Sequence, residues 1–164
     1  MSEIFIINEW LWSDLNGDNN KEKQEEAFYF LETLYKRCDR IAVAKGSKFQ
    51  QKEKNFLKNA NIDPDTTKKM IAKLYLGMIR FNSQKYEEVD IEGEEGFEID
   101  LEGINPDDLY LVKTYYKIGA PIITTDNELM NILESKGIPC KLRDAFLQEY
   151  LKKGTESALN INSG

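Results

Sequence analysis

The stretch Gly119-Ala120-Pro121-Ile122-Ile123-Thr124-Thr125-Asp126-Asn127-Glu128-Leu129 decides the fold. Gly119 stops a helix over 108–118, as glycine does just past a helix end. Pro121 can only begin a strand or lie at its edge. Ile122-Ile123-Thr124 is a β-branched run too short for a helix. Thr125, Asp126 and Asn127 are turn and N-cap residues ahead of Leu129, Ile132 and Leu133. Asp126 therefore follows the carboxyl end of a strand, where open α/β sheets bind their ligands.

The same alternation extends to both sides. Ile4-Phe5-Ile6-Ile7 is a wholly apolar run, the pattern of a buried parallel strand, and it ends in the polar pair Asn8-Glu9. Trp10, Leu11 and Trp12 are apolar enough to pack under the next helix. The loop Asn16-Gly17-Asp18-Asn19-Asn20 leads to a helix over 22–37, whose apolar face includes Ala27, Phe30, Leu31 and Leu34. Residues 41–44 read as a second strand. Ser47 is an N-cap for a lysine-rich helix that carries Glu53 near its inner face. Asp65 or Thr66 caps a further helix. Residues 84–104 read as an acidic insertion, with short strands at 88–91 and 97–101. After the organising stretch come a helix over 127–136, a strand over 138–141 and a helix over 143–152. The chain is expected to form one domain over 1–153, with a polar flexible tail over 154–164. Strands alternating with helices predict a three-layer α/β/α sandwich around a central, mostly parallel sheet.

Composition narrows the chemistry. The 164 residues include two Trp, eight Tyr and eight Phe, ample for a packed core. There is no histidine, which removes Ser-His-Asp and Cys-His nucleophile arrangements and zinc sites built on imidazole. Acid–base or metal chemistry must rest mainly on the 29 carboxylates, which suit hard cations such as Mg²⁺ or Mn²⁺. A net charge of −7 repels nucleic acid over the surface as a whole, so any nucleic-acid contact needs a local basic patch. No apolar run of about 20 residues predicts a membrane span. Cys38 and Cys140 lack metal-site spacing, and reduced thiols in a cytoplasmic protein are expected.

Asp108-Leu-Tyr-Leu-Val-Lys-Thr-Tyr-Tyr-Lys-Ile-Gly119-Ala120-Pro121-Ile-Ile-Thr124-Thr125-Asp126 resembles the second half of a PIN domain. That family carries an aspartate at a helix start, a Gly-Ala or similar step about eleven residues on, and an apolar strand closing in Thr-x-Asp. Ile-Phe-Ile-Ile-Asn8-Glu9 is similar to its first strand, which normally ends in aspartate. Ser47 to Glu53 looks like its middle element, a serine-led helix bringing in a glutamate. The resemblance covers most of residues 3–150 outside the acidic insertion.

The resemblance implies an α/β/α nuclease in which three or four acids hold Mg²⁺ or Mn²⁺ for hydrolysis of RNA. Carried over by position, Asp108, Asp126 and Glu53 would be the catalytic acids. Asp108, Asp126, Asn8 and Glu9 would be the candidate metal-site residues. Asn8 departs from the family pattern, because an amide oxygen can contact a cation but brings no charge. Glu9 is adjacent, but neighbours at a strand end tend to point to opposite sides. Lys45, Lys48 and Lys52, with Arg40, would form a basic rim for the RNA backbone. The alternative is a catalytically degenerate PIN-like module that binds RNA or a protein partner. A toxin-like partner of an antitoxin is a third reading, and the oligomeric state is open. Each acid also has a plain structural reading. Asp126 and Asp108 suit helix caps, Asp107 is an alternative to Asp108, and Glu53 suits a solvated helix residue paired with a lysine.

Overall fold

The computed structural model describes residues 2–92 and 100–162. Five strands form one parallel sheet: β1 (Ile4–Ile7), β2 (Arg40–Ala44), β3 (Tyr86–Val89), β4 (Ile122–Thr124) and β5 (Cys140–Leu142), in the order β3-β2-β1-β4-β5. Among the described residues seven α-helices accompany them: α1 (Trp10–Leu15), α2 (Lys21–Lys36), α3 (Lys48–Ile62), α4 (Thr66–Tyr75), α5 (Leu109–Ile118), α6 (Asn127–Ser135) and α7 (Arg143–Asn162). A π-helical turn over 76–80 extends α4, and a 3-10 turn over 106–108 leads into α5. The predicted three-layer α/β/α sandwich is the fold the chain adopts.

Alternation along each strand divides the core in two. Phe5, Ile7, Ile41, Val43 and Ile123 face one side, where they meet residues of α1 to α4 and α7. Ile6, Ala42 and Ile122 face the other, against Leu111, Val112, Leu129 and Leu133 of α5 and α6. The chain winds outward from β1 to β2 and β3, then returns to place β4 and β5 on the far side of β1. The winding therefore reverses between β1 and β4, and the crevice outside their carboxyl ends is the switch point where such sheets bind ligands.

Most predicted elements recur within two residues of their expected ends. Ser47 and Asp65 cap α3 and α4, as read from the sequence. Gly119 takes a left-handed conformation (φ 76°) and ends α5 by donating its N–H to Tyr115 O. Three stretches differ. Trp10–Leu15 is a helix of its own, with Trp10 and Trp12 in the core. Its side chains are tied on two sides: Trp10 Nε1 donates to Ile123 O at 3.0 Å, and Asp14 accepts from Arg143 Nε at 2.6 Å. The supposed acidic insertion begins inside the sheet. Tyr86–Val89 is the edge strand, in register with 41–44 of β2, and its Tyr86 and Val89 reach the two cores. The strand expected over 97–101 falls largely on residues outside those described, and Asp100 and Leu101 are not in a strand.

The third difference is α7, which runs past Gly154 to Asn162 where the sequence predicts a polar tail. Gly154 is there for a steric reason. A Cβ at this position would lie 2.6 Å from Thr33 Cγ2 and 3.3 Å from Thr33 Oγ1, so the glycine lets α7 approach α2 closely. Glycine inside a helix ordinarily costs about 1 kcal/mol against alanine, and Gly→Ala is then stabilising. The opposite sign is expected here, because the β-branched Thr33 side chain has little rotameric freedom in a helix to move aside. Gly154→Ala should lower the melting temperature, and Thr33→Ala in the same chain should restore it. A melting temperature raised by Gly154→Ala alone would contradict this packing.

Candidate functional site

The switch point is built by the two segments that leave β1 and β4. Asn8 follows β1, and its backbone N–H donates to Ile123 O at 3.0 Å, continuing the ladder one step. Its side chain then ties the two strand ends together. Nδ2 donates to Thr124 Oγ1 at 2.9 Å, while Oδ1 accepts from the Glu9 N–H at 2.7 Å and from the Tyr110 hydroxyl at 3.4 Å. Thr124 Oγ1 also accepts from the Asp126 N–H at 3.1 Å. Only 9% of Asn8 is exposed, and all of these partners are protein groups. Asn8 thus sits where the sequence places it, as a structural clamp carrying no charge.

Glu9 corrects an expectation. Strand alternation would send it away from Asn8, but the strand ends at Ile7 and Glu9 is already helical (φ −66°, ψ −10°) as the cap of α1. Its protonation is pushed up, first by burial and then by Asp108 and Asp107, while Lys52 and Lys48 pull it down. Glu9 Oε1 is sealed from solvent and has no hydrogen-bond partner among the described residues.

Asp108 stands at the start of α5 and makes no side-chain capping bond. Burial raises its carboxyl above the ordinary range, and Asp126 is the largest charge adding to that shift, followed by Asp107. Asp126 caps α6: Oδ1 accepts from the N–H groups of Glu128 at 2.9 Å and Leu129 at 3.2 Å. Capping and proximity to Asp108 therefore coexist at one residue. Asp107, the neighbouring alternative, is 69% exposed and pairs with Lys48 at 3.4 Å.

Glu53 is not brought to this cluster. It is 3% exposed, in the core between α3, α4 and β3. Oε1 accepts from the Tyr75 hydroxyl, Oε2 accepts from the Tyr86 hydroxyl at 3.2 Å, and Arg80 Nε lies 3.6 Å from Oε1. Burial raises its protonation, and the two tyrosines and Arg80 oppose that. The guanidinium of Arg80 also covers the Tyr86 ring at 4.4 Å. The solvated-helix reading of Glu53 fails as well, since its partners are two tyrosines and an arginine.

The basic rim is narrower than the sequence predicts. Lys48 and Lys52 act electrostatically on Glu9, and Lys45 lines a cavity together with Tyr110. Arg40 begins β2, so it lies at the opposite edge of the sheet, where it pairs with Glu87 at 3.5 Å. Tyr110 was missed by sequence reading. Its hydroxyl meets Asn8, and burial, Glu9 and Asp108 all raise its protonation. A tyrosine two residues after Asp108 carries no signal distinguishing it from the core tyrosines around it.

Among the described residues no three acidic or cysteine side chains stand close enough to cage a metal ion. A preformed cage is not what Mg²⁺ requires, because it commonly keeps several waters and takes one or two carboxylates together with substrate phosphate. Glu9 and Asp108 are oxygen donors of the type a hard cation takes, and Glu9 Oε1 has no hydrogen-bond partner among the described residues.

The charge arrangement has a measurable consequence. Asparagine caps helices about as well as aspartate, so Asp126→Asn retains the cap and removes one charge beside Asp108. The Asp108 carboxyl should then titrate lower, and the metal-free protein should melt about 1–3 °C higher, the scale of a fraction of a kcal/mol to about 1 kcal/mol in a chain of this size. The sign follows from linkage. A carboxyl whose folded-state value is raised contributes stability below its unfolded value and loses it as pH rises through the folded value. The advantage of the variant should therefore shrink as pH falls through the carboxylate range and at high salt. Identical melting curves at all pH values would mean that Asp126 is a cap and nothing more.

No family model matches this chain, and no curated protein matches it. It is similar to a solved structure, the crystal structure of VapBC2 from Rickettsia felis bound to a DNA fragment from their promoter, with 13% identity over 85% of this chain and 98% of that chain, and a TM-score of 0.48.

Proposed function

We propose that the protein is a PIN-like, Mg²⁺- or Mn²⁺-dependent ribonuclease working with a reduced acid set, in which Glu9 provides the charge that Asn8 lacks. The observation that supports this reading is Glu9 Oε1, a buried carboxylate oxygen with no hydrogen-bond partner among the described residues, on a side chain that feels the charge of Asp108. A buried carboxylate oxygen with no donor is costly unless a cation or proton completes it. When bound, the metal supplies an activated water and neutralises charge on the phosphate.

The chain's own residues divide the remaining work. Glu9 and Asp108 would hold the cation, and Asp126 adds negative charge on the β4 side. Asn8 fixes the spacing of the two strand ends. Lys45 and Lys52 attract the RNA backbone, whereas Lys48 is partly neutralised by Asp107. Glu53 keeps α3, α4 and β3 in place and has no catalytic part in this reading.

A degenerate module that binds RNA or a protein partner is the second reading. Asn8 favours it, because its amide is engaged in neutral hydrogen bonds where the family pattern has a charged acid. Cleavage of labelled single-stranded RNA separates the two. The ribonuclease reading expects cleavage with Mn²⁺ that a chelator abolishes and a melting temperature that Mn²⁺ raises. Glu9→Gln and Asp108→Asn should each reduce cleavage at least about 10-fold, and Glu53→Gln should act on stability first. Absence of chelator-sensitive cleavage and of any metal-induced rise in melting temperature would overturn it. Cleavage or metal affinity gained only in Asn8→Asp would identify the degenerate module.

A further inference from the structure

A cavity of about 610 Å³ opens next to the acidic cluster, outside the carboxyl ends of β2 and β3. That volume lies within the roughly 300–1,000 Å³ of small-ligand sites. Lys45 and Ser47 reach it from the turn after β2, Ile91 and Glu92 from the segment after β3, and Tyr110 and Lys113 from α5. Tyr110 and Lys113 are three residues apart on one helix, so they share a face. Lys45 is held at its base by its N–H, which donates to Val89 O at 2.8 Å.

Two cations, Lys45 and Lys113, line this one cavity, and neither forms an ion pair among the described residues. Two unpaired ammonium groups suit a phosphate. A tyrosine with an adjacent isoleucine offers a surface on which a base can lie, as aromatic side chains do in single-stranded nucleic-acid sites. A carboxylate such as Glu92 can accept from an exocyclic amino group, as acids do at cytosine N4. Tyr110 is the common wall. It lines the cavity while its hydroxyl lies 3.4 Å from Asn8 Oδ1, so one side chain links the cavity to the clamp between β1 and β4.

We propose that this cavity is a nucleotide subsite, taking one nucleoside phosphate with its phosphate on Lys45 and Lys113 and its base against Tyr110 and Ile91. Glu92 gives it a preference for bases carrying an amino group over uracil. The inference rests on the ribonuclease reading for the identity of the ligand as part of an RNA strand, and it gives that site a specificity.

Binding is measured in chelator, where metal-dependent cleavage is silent. The probes are CMP, UMP, inorganic phosphate and a short single-stranded RNA. The expected result is tighter binding of CMP than UMP and an RNA affinity that falls several-fold in Lys45→Ala and in Lys113→Ala. Each of these variants should lower the slope of log affinity against log salt by about 0.7, the value for one phosphate contact on a single strand. Lys113→Gln, which keeps the bulk of the half-buried side chain, should match Lys113→Ala. Glu92→Gln should erase the CMP preference, and Lys152→Ala on α7 should change nothing. If CMP is too weak to detect but RNA binding depends on Lys45 and Lys113, the ligand is a nucleotide within a strand and the subsite stands. RNA affinity indifferent to Lys45 and Lys113, no binding of any probe, or phosphate binding as well as CMP would overturn it. A protein that binds in this manner but never cleaves RNA would retain the subsite and lose the ribonuclease reading; cleavage with silent lysine variants would do the reverse.

Discussion

The amide of Asn8 fastens β1 to β4 at the place where the winding of the sheet reverses, and the geometry of the site depends on that fastening. Its Nδ2 reaches Thr124, whose hydroxyl in turn holds the Asp126 N–H, and its Oδ1 holds the Glu9 N–H and the Tyr110 hydroxyl. One side chain thus relates the starts of α1, α5 and α6 to one another. Each of those helix starts presents a carboxylate: Glu9, Asp108 and Asp126 respectively. An amide does this with one donor and a shared acceptor, and adds no fourth negative charge to a crowded edge.

That economy of charge explains the electrostatics of the region. Glu9 and Asp108 both have raised protonation, with burial as the first cause and neighbouring acids adding to it. Lys48 and Lys52 offset part of this from α3, whose N-terminus lies at the same edge. Burial and neighbouring acids together favour the neutral form of these carboxyls. The buried network around Glu53 is a separate matter. There an acid is satisfied by Tyr75, Tyr86 and Arg80, and it braces α3, the π-helical turn and β3.

The legible parts of the sequence were those where local chemistry and tertiary role coincide. Gly119, the β-branched run 122–124 and Asp126 read correctly because a C-terminal glycine, a buried strand and a cap each have short-range signatures. Asp108 read correctly as a helix-start acid, although its proximity to Asp126 is a product of the sheet order. Glu53 was misplaced because helical spacing gives a face and not a partner: the tyrosines that take up its carboxylate are 22 and 33 residues away. Strand alternation does not extend to Glu9, because the backbone has turned helical there. Tyr86–Val89 was hidden in an acidic stretch because an edge strand tolerates charge at half of its positions, and Glu87 and Glu88 are there. The close approach at Gly154 has no local signature at all, since it depends on Thr33 of a helix more than a hundred residues earlier.

The central claim is that Glu9, not Glu53, completes the charge of the cluster at the ends of β1 and β4. Anomalous scattering from crystals of the protein soaked with Mn²⁺ and a short uncleavable RNA addresses it directly. The account predicts an anomalous peak within ligand distance of Glu9 and Asp108, with a phosphate oxygen beside it and Glu53 still bonded to Tyr75 and Tyr86. A peak at Glu53, or full RNA occupancy with no peak near Glu9, would contradict it.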